Sequence, residues 1–159
     1  MYSKPYAQMV NFHTARANKE RTKNTTSSLT ANEHGIQPHL KVLMVEDEKI
    51  CQIIQRRLLE DFGCEVTIAQ TGEQGLAMYN STFDFVILDI NLPGISGLVV
   101  SKAIRSIPEG RSVPIIGLSS EAKSRREDCI AAGYSEVIAK PADVPHLKTI
   151  LQVYFPSEG

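Results

Sequence analysis

Five side chains suited to binding cations and phosphoryl groups fall at the ends of apolar runs in this 159-residue chain. Asp89 closes the run from Phe85 to Leu88, after which the backbone turns at Pro93 and Gly94. Glu46 and Asp47 close LKVLMV, Ser119 closes VPIIGL, and Lys140 closes EVIA just before Pro141. Three carboxylates brought together repel one another, and each would retain a proton unless a cation neutralised them. A hard divalent ion answers that need. Magnesium, or manganese in its place, is typically held by one or two carboxylates plus phosphate oxygens while keeping several waters. A metal and an ammonium set against phosphoryl oxygens supply the positioning and charge neutralisation of phosphoryl transfer. A carboxylate there can be the nucleophile, giving an acyl phosphate. Each residue also has a plainer reading: Glu46 and Asp47 as solvated strand-end acids, Asp89 as a loop cap, Ser119 as a helix cap and Lys140-Pro141 as a turn. Their joint alignment on successive runs favours the chemical reading.

The elements that carry these residues follow from hydrophobic pattern. FVILD is continuously apolar rather than alternating, the pattern of a parallel strand covered on both faces. Leu40 to Glu48 predicts the first strand, and Ile50, Ile53, Ile54 and Leu58 then recur at one-sided helical spacing up to a stop at Gly63. Cys64 to Ala69 predicts a second strand, followed by a weaker helix over 72–81. After the third strand, Val100, Ala103, Ile104 and Ile107 form a helical stripe that Pro108 closes. Val113 to Ser120 predicts a fourth strand, with a polar helix after it whose core residues are Cys129, Ile130 and Ala131. Ser135 to Pro141 predicts a short fifth strand, and Leu147, Ile150, Leu151 and Tyr154 a last helix. Five alternating units with right-handed crossovers predict an α/β, doubly wound, five-stranded parallel sheet of order 2-1-3-4-5. In that order the ligand crevice lies between the strands ending in Glu46 and Asp47 and in Asp89.

Composition bounds the function. With 42% hydrophobic and 22% charged residues, the chain has the make-up of one globular domain, expected at 39–159, with a polar, basic and disordered extension at 1–38. Residues 1–39 hold five basic side chains against two acidic ones, whereas the remainder holds twelve against sixteen. A mildly acidic folded part offers no stripe for direct nucleic-acid binding. Cys51, Cys64 and Cys129 are odd in number and lack metal-type spacing, which suits a reducing, cytoplasmic setting. No apolar run reaches the ~18 residues of a membrane span, so membrane insertion is not expected.

The acid pair in VEDE, the segment LDINLPGISG, the hydroxyl in GLSS and the lysine in AKP occur in this order over Leu40 to Phe155. In this the chain resembles the receiver domain of two-component response regulators, which have a flavodoxin-like fold. The resemblance implies that Asp89 accepts a phosphoryl group from a histidine kinase or a histidine phosphotransfer protein. It implies that Asp47, Asp89 and the Asn91 main-chain carbonyl hold magnesium, with Glu46 acting through water. Lys140 would pair with Asp89 and then with the phosphoryl group, and Ser119 would swing in to bond it. The Lys140-Pro141 bond would be cis, and Asn91 and Glu121 would flank the site and set the phosphoryl lifetime. Val137 stands where many receivers carry the aromatic that reports the switch; Tyr134, nearby, is a candidate substitute, with a loop tyrosine packed on the surface as the favoured reading.

Such a domain is not an enzyme on external substrates: it catalyses only its own phosphorylation and dephosphorylation. The expected form is a free-standing phosphorelay regulator that meets a downstream protein through its fourth and fifth units, with scope for a phosphorylation-dependent dimer. A receiver excised from a hybrid histidine kinase is the alternative. A phosphatase of the haloacid dehalogenase type is more distant, because the position two after the nucleophile holds Asn91 rather than an acid. A flavodoxin-type flavin module fits less well still, since VEDE would repel the flavin phosphate.

Overall fold

The computed structural model describes residues 34–158. Five parallel strands, β1 (Lys41–Val45), β2 (Glu65–Ala69), β3 (Phe85–Asp89), β4 (Ile115–Ser119) and β5 (Glu136–Ala139), form one sheet in the order β2-β1-β3-β4-β5. They alternate with α1 (Lys49–Asp61), α2 (Gly72–Met78), α3 (Gly97–Ser106), α4 (Ala122–Ala131) and α5 (Val144–Tyr154). The central strand β3 is buried at every residue, as a continuous apolar run between two helical layers requires.

The strand pleat divides the core in two. On one face Val42, Met44, Ile87 and Leu118 pack with Leu59 of α1, with Phe62 directly after it, and with Leu147, Ile150, Leu151 and Tyr154 of α5. On the other, Leu43, Val45, Val86, Leu88 and Ile115 pack with Val100 and Ile104 of α3 and Cys129 of α4. Successive side chains of each strand thus supply opposite layers, and the functional residues sit where those layers end. Side chains cap three helices: Thr71 accepts from the Gln74 N–H, Ser96 from Val99, and Asp143 from His146.

Two expectations are corrected. Of the stripe on α1 only Leu58 packs against the core: Ile50, Ile53 and Ile54 are exposed, at 72%, 62% and 52%, while Gln52, Gln55 and Leu59 are buried. The helix has a second face one residue out of phase, and Gln52 turns inward because its amide donates to the Glu46 carbonyl at 2.7 Å. The folded unit also reaches to the amino-terminal side of residue 39. Ile36 is fully buried, pairs with Pro156 in an antiparallel bridge, and is followed by Gln37, whose N–H donates to the Phe155 carbonyl. Of the extension expected at 1–38, residues 1–33 lie outside the described residues.

Candidate phosphoacceptor site

The order of the sheet puts the ends of β1, β3, β4 and β5 side by side. Asp89 is the last residue of β3 and Ser119 the last of β4, while Lys140 directly follows β5. Glu46 directly follows β1, and its N–H donates to the Ala69 carbonyl, extending the pairing by one residue. Glu46, Asp47, Asp89, Asn91, Ser119, Glu121 and Lys140 therefore lie along one edge, whereas Val137 lies within β5, opposite Gly117. Glu46, Asp89 and Ser119 are buried there, whereas Asp47, Asn91 and Glu121 are exposed at the rim.

At the centre, the Lys140 ammonium lies 2.8 Å from Asp89 Oδ2 and 2.8 Å from Glu46 Oε2. The second Asp89 oxygen accepts from the Asn91 N–H at 3.2 Å, and the second Glu46 oxygen from the Glu48 N–H at 3.1 Å. Burial, and then the facing Asp89 carboxylate, push the Glu46 carboxyl above its ordinary pKa, against the pull of Lys140. For Lys140, burial alone would lower the pKa, but the bonds to Asp89 and Glu46 outweigh it and hold the ammonium above its ordinary value. Ser119 is turned away from the acids at rest: its hydroxyl accepts from the Glu121 N–H at 2.9 Å. The Lys140 N–H donates to the Ser119 carbonyl at 3.0 Å, tying the lysine to the hydroxyl strand. The Lys140-Pro141 peptide is cis, as expected.

Carboxylate oxygens of Glu46, Asp47 and Asp89 lie within 4.8 Å of one another. Hard oxygen donors at that spacing, with a carboxyl whose pKa is raised by burial and by the facing Asp89, fit a small divalent cation. A second group, Glu46, Glu48 and Cys51, shares the first acid but brings a soft thiol that is already bonded to Glu48 at 3.2 Å.

Four features were not read from the sequence. Tyr134 is a correction: instead of packing on the surface it is 3% exposed, its ring against Gly117 and its hydroxyl beside Gly97. Room for it comes from two glycines distant in sequence, so the residue alone gave no signal. Gly97 itself admits no side chain, because a Cβ there would collide with the Asp89 carbonyl and the Tyr134 hydroxyl. Arg105 of α3 has its guanidinium spread over the carbonyls of Gly110, Val113 and Gly133 and the Ser135 hydroxyl, which anchors the approach to β5. Finally, the outward isoleucines of α1 run beside a shallow groove that Ala142, Asp143 and Val144 close from the start of α5.

This sheet and this edge belong to the response regulator receiver domain family, whose match covers residues 42–152, and the chain is a member of it. The aerobic respiration control sensor protein ArcB of Escherichia coli is 32% identical over 123 residues, which are 76% of this chain and 16% of that relative. The phosphate regulon transcriptional regulatory protein PhoB of Rhizobium meliloti is 35% identical over 67% of this chain and 48% of its own length. Among solved structures, the receiver domain of a sensor histidine kinase from Pseudomonas aeruginosa superposes with a TM-score of 0.68 at 32% identity, covering 73% of this chain and 97% of that one. That receiver holds a magnesium ion in its active-site cleft. The chemotaxis protein CheY4 of Vibrio cholerae gives a TM-score of 0.66 at 29% identity over 74% of this chain and 99% of its own.

Proposed function

We propose that Asp89 is a reversible phosphoacceptor, charged by a phosphohistidine on a histidine kinase or phosphotransfer protein, and that its state switches the binding of a protein target. The observation that carries this is the single ammonium of Lys140 held at 2.8 Å from both Asp89 and Glu46, with Asp47 beside them. One Asp89 oxygen attacks phosphorus, the P–N bond breaks, and its electron pair returns to the donor imidazole. Lys140 is placed to follow the charge from the carboxylate to the phosphoryl oxygens. Ser119 then exchanges the Glu121 N–H for a phosphoryl oxygen, drawing the start of α4 with it. Magnesium, with manganese as a substitute, would be held by Asp47, Asp89 and the Asn91 carbonyl, with Glu46 through water, and supplies charge neutralisation at the phosphoryl group.

The donor docks on the α1 face. Ile50, Ile53, Ile54 and Val144 are large, exposed and adjacent to the acid edge, an apolar surface that a partner helix can cover. The target reads α4, β5 and α5, which Ser119 and Lys140 move. The chain acts on itself and on no external substrate: Asn91, where the related phosphatase chemistry needs an acid, offers no general acid or base. Three free thiols support a cytoplasmic setting, and no described helix is long and apolar enough to cross a membrane. The test is incubation with acetyl phosphate and magnesium, followed by intact-mass measurement. One phosphoryl adduct is expected on the wild type and none on Asp89→Asn. Steady hydrolysis of phosphate esters without an adduct would favour a phosphatase instead.

A further inference from the structure

Tyr134 is a buried hydroxyl for which phosphoryl chemistry has no direct use. It sits before β5, its N–H donating to the Cys129 carbonyl at 3.0 Å, and its hydroxyl oxygen has no hydrogen-bond partner. Burial, the neighbouring Cys129 and the Asp89 carboxylate push the phenol above its ordinary pKa, so the group is a neutral O–H donor. Such a donor, desolvated and unpaired, makes the fold less stable than a phenylalanine of the same shape would. The loss is compensated if another state of the protein pairs it.

The surroundings show which state that is. A Cβ added at Gly117 of β4 would stand 2.7 Å from the Tyr134 ring and 3.4 Å from Val137, so the ring packs against a strand position that has no side chain to catch it. Gly117 is two residues before Ser119. At the other end, the Tyr134 hydroxyl and the Asp89 carbonyl border the same empty position at Gly97. One side chain therefore lies against the strand that carries the hydroxyl switch and, at Gly97, beside the end of the strand that carries the phosphoacceptor. Val137, where an aromatic is usual in the resembled domains, is small enough to leave it that space.

We propose that Tyr134 is the positioning residue that reports the phosphoryl state of Asp89, its ring sliding over Gly117 as β4 follows Ser119 and its hydroxyl then donating to the Asp89 main-chain carbonyl. This rests on the phosphoacceptor reading above. The resting state leaves the hydroxyl unpaired and the phosphorylated state pairs it, so the side chain biases the equilibrium towards the switched form.

Beryllium fluoride with magnesium, a stable mimic of the acyl phosphate, tests it by calorimetric titration and by thermal melting with and without the mimic. Tyr134→Phe should melt higher than wild type when free, lose that advantage with beryllium fluoride bound, and bind the mimic roughly 3- to 10-fold more weakly. Gly117→Ala keeps the hydroxyl but sets a methyl against the ring, and should also bind more weakly. A purely structural tyrosine would shift both melting points equally. Equal shifts with unchanged affinity in Tyr134→Phe, or wild-type affinity in Gly117→Ala, would overturn the proposal while leaving the phosphoacceptor reading intact. If wild-type protein itself binds no beryllium fluoride, both readings fall.

Discussion

Replacing Lys140 by methionine removes the cation that is paired with Glu46 and Asp89 while keeping most of the side-chain volume. The side chains of Glu46 and Asp89 are only 1% and 6% exposed, so water cannot replace the ammonium, although Lys140 itself is 16% exposed. Breaking a buried ion pair by deleting one partner costs about 3–5 kcal/mol. The cost has a ceiling, because one carboxyl can take a proton instead. Protonating a carboxyl of ordinary pKa about 4.3 at about pH 7.5 costs close to 4 kcal/mol at about 1.4 kcal/mol per unit. We therefore expect a loss of about 3–4 kcal/mol, or a fall in Tm of roughly 12 °C for a domain of this size. The pH dependence has a definite sign. Glu46 already has a raised pKa in the fold, and losing Lys140 raises it further, so the folded variant binds more protons than the unfolded chain. Its stability must then fall as pH rises through the folded pKa and recover on acidification. Between about pH 7.5 and about pH 5.5 it should regain roughly 2–3 kcal/mol relative to wild type. Magnesium should recover part of the loss at the higher pH, since it supplies the missing positive charge. Differential scanning calorimetry across this range measures all three effects. A Tm within about 3 °C of wild type, with no pH dependence of the difference, would refute the electrostatic reasoning.

Ile53→Asp places a charge on an exposed apolar face and should leave Tm within about 2 °C, as surface substitutions do. It should leave acetyl phosphate labelling unchanged but slow transfer from a phosphorylated histidine phosphotransfer domain by at least roughly tenfold, measured by radiolabel transfer. Equal slowing with both donors would contradict a docking role. Arg105→Met strands the carbonyls of Gly110, Val113 and Gly133, which now share one guanidinium, and should cost about 3 kcal/mol in urea unfolding. A loss below about 1 kcal/mol would show that water satisfies those carbonyls equally well.

The sheet was legible because four strands, β2 (EVTIA) excepted, announce themselves twice, by an apolar run and by the polar residue that ends it. Asp89, Ser119 and Lys140 needed only parallel topology to meet, and the order 2-1-3-4-5 follows from alternation with right-handed crossovers. The orientation of α1 was not legible. Periodicity finds a stripe but not what covers it, and Ile50, Ile53 and Ile54 form a stripe that faces away from the sheet while Gln52 turns in to hold Glu46. Tyr134 was misplaced for a different reason: its slot is made by what Gly97 and Gly117 lack, on α3 and β4. Absent side chains create space only after strands and helices are assembled, so no local window contains the signal. Ile36 failed similarly, a lone apolar residue in polar surroundings whose burial depends on Pro156 and Phe155 at the far end of the chain.

The central claim is that a phosphoryl group becomes an acyl phosphate on one carboxylate, and chemical trapping of that bond tests it most directly. Borohydride reduces an aspartyl phosphate to homoserine, leaving a permanent mark that peptide mass spectrometry locates. After acetyl phosphate and magnesium, the account predicts homoserine at position 89 and at no other aspartate. Trapping at a different acid, or phosphate recovered only on Ser119 or a histidine, would contradict it.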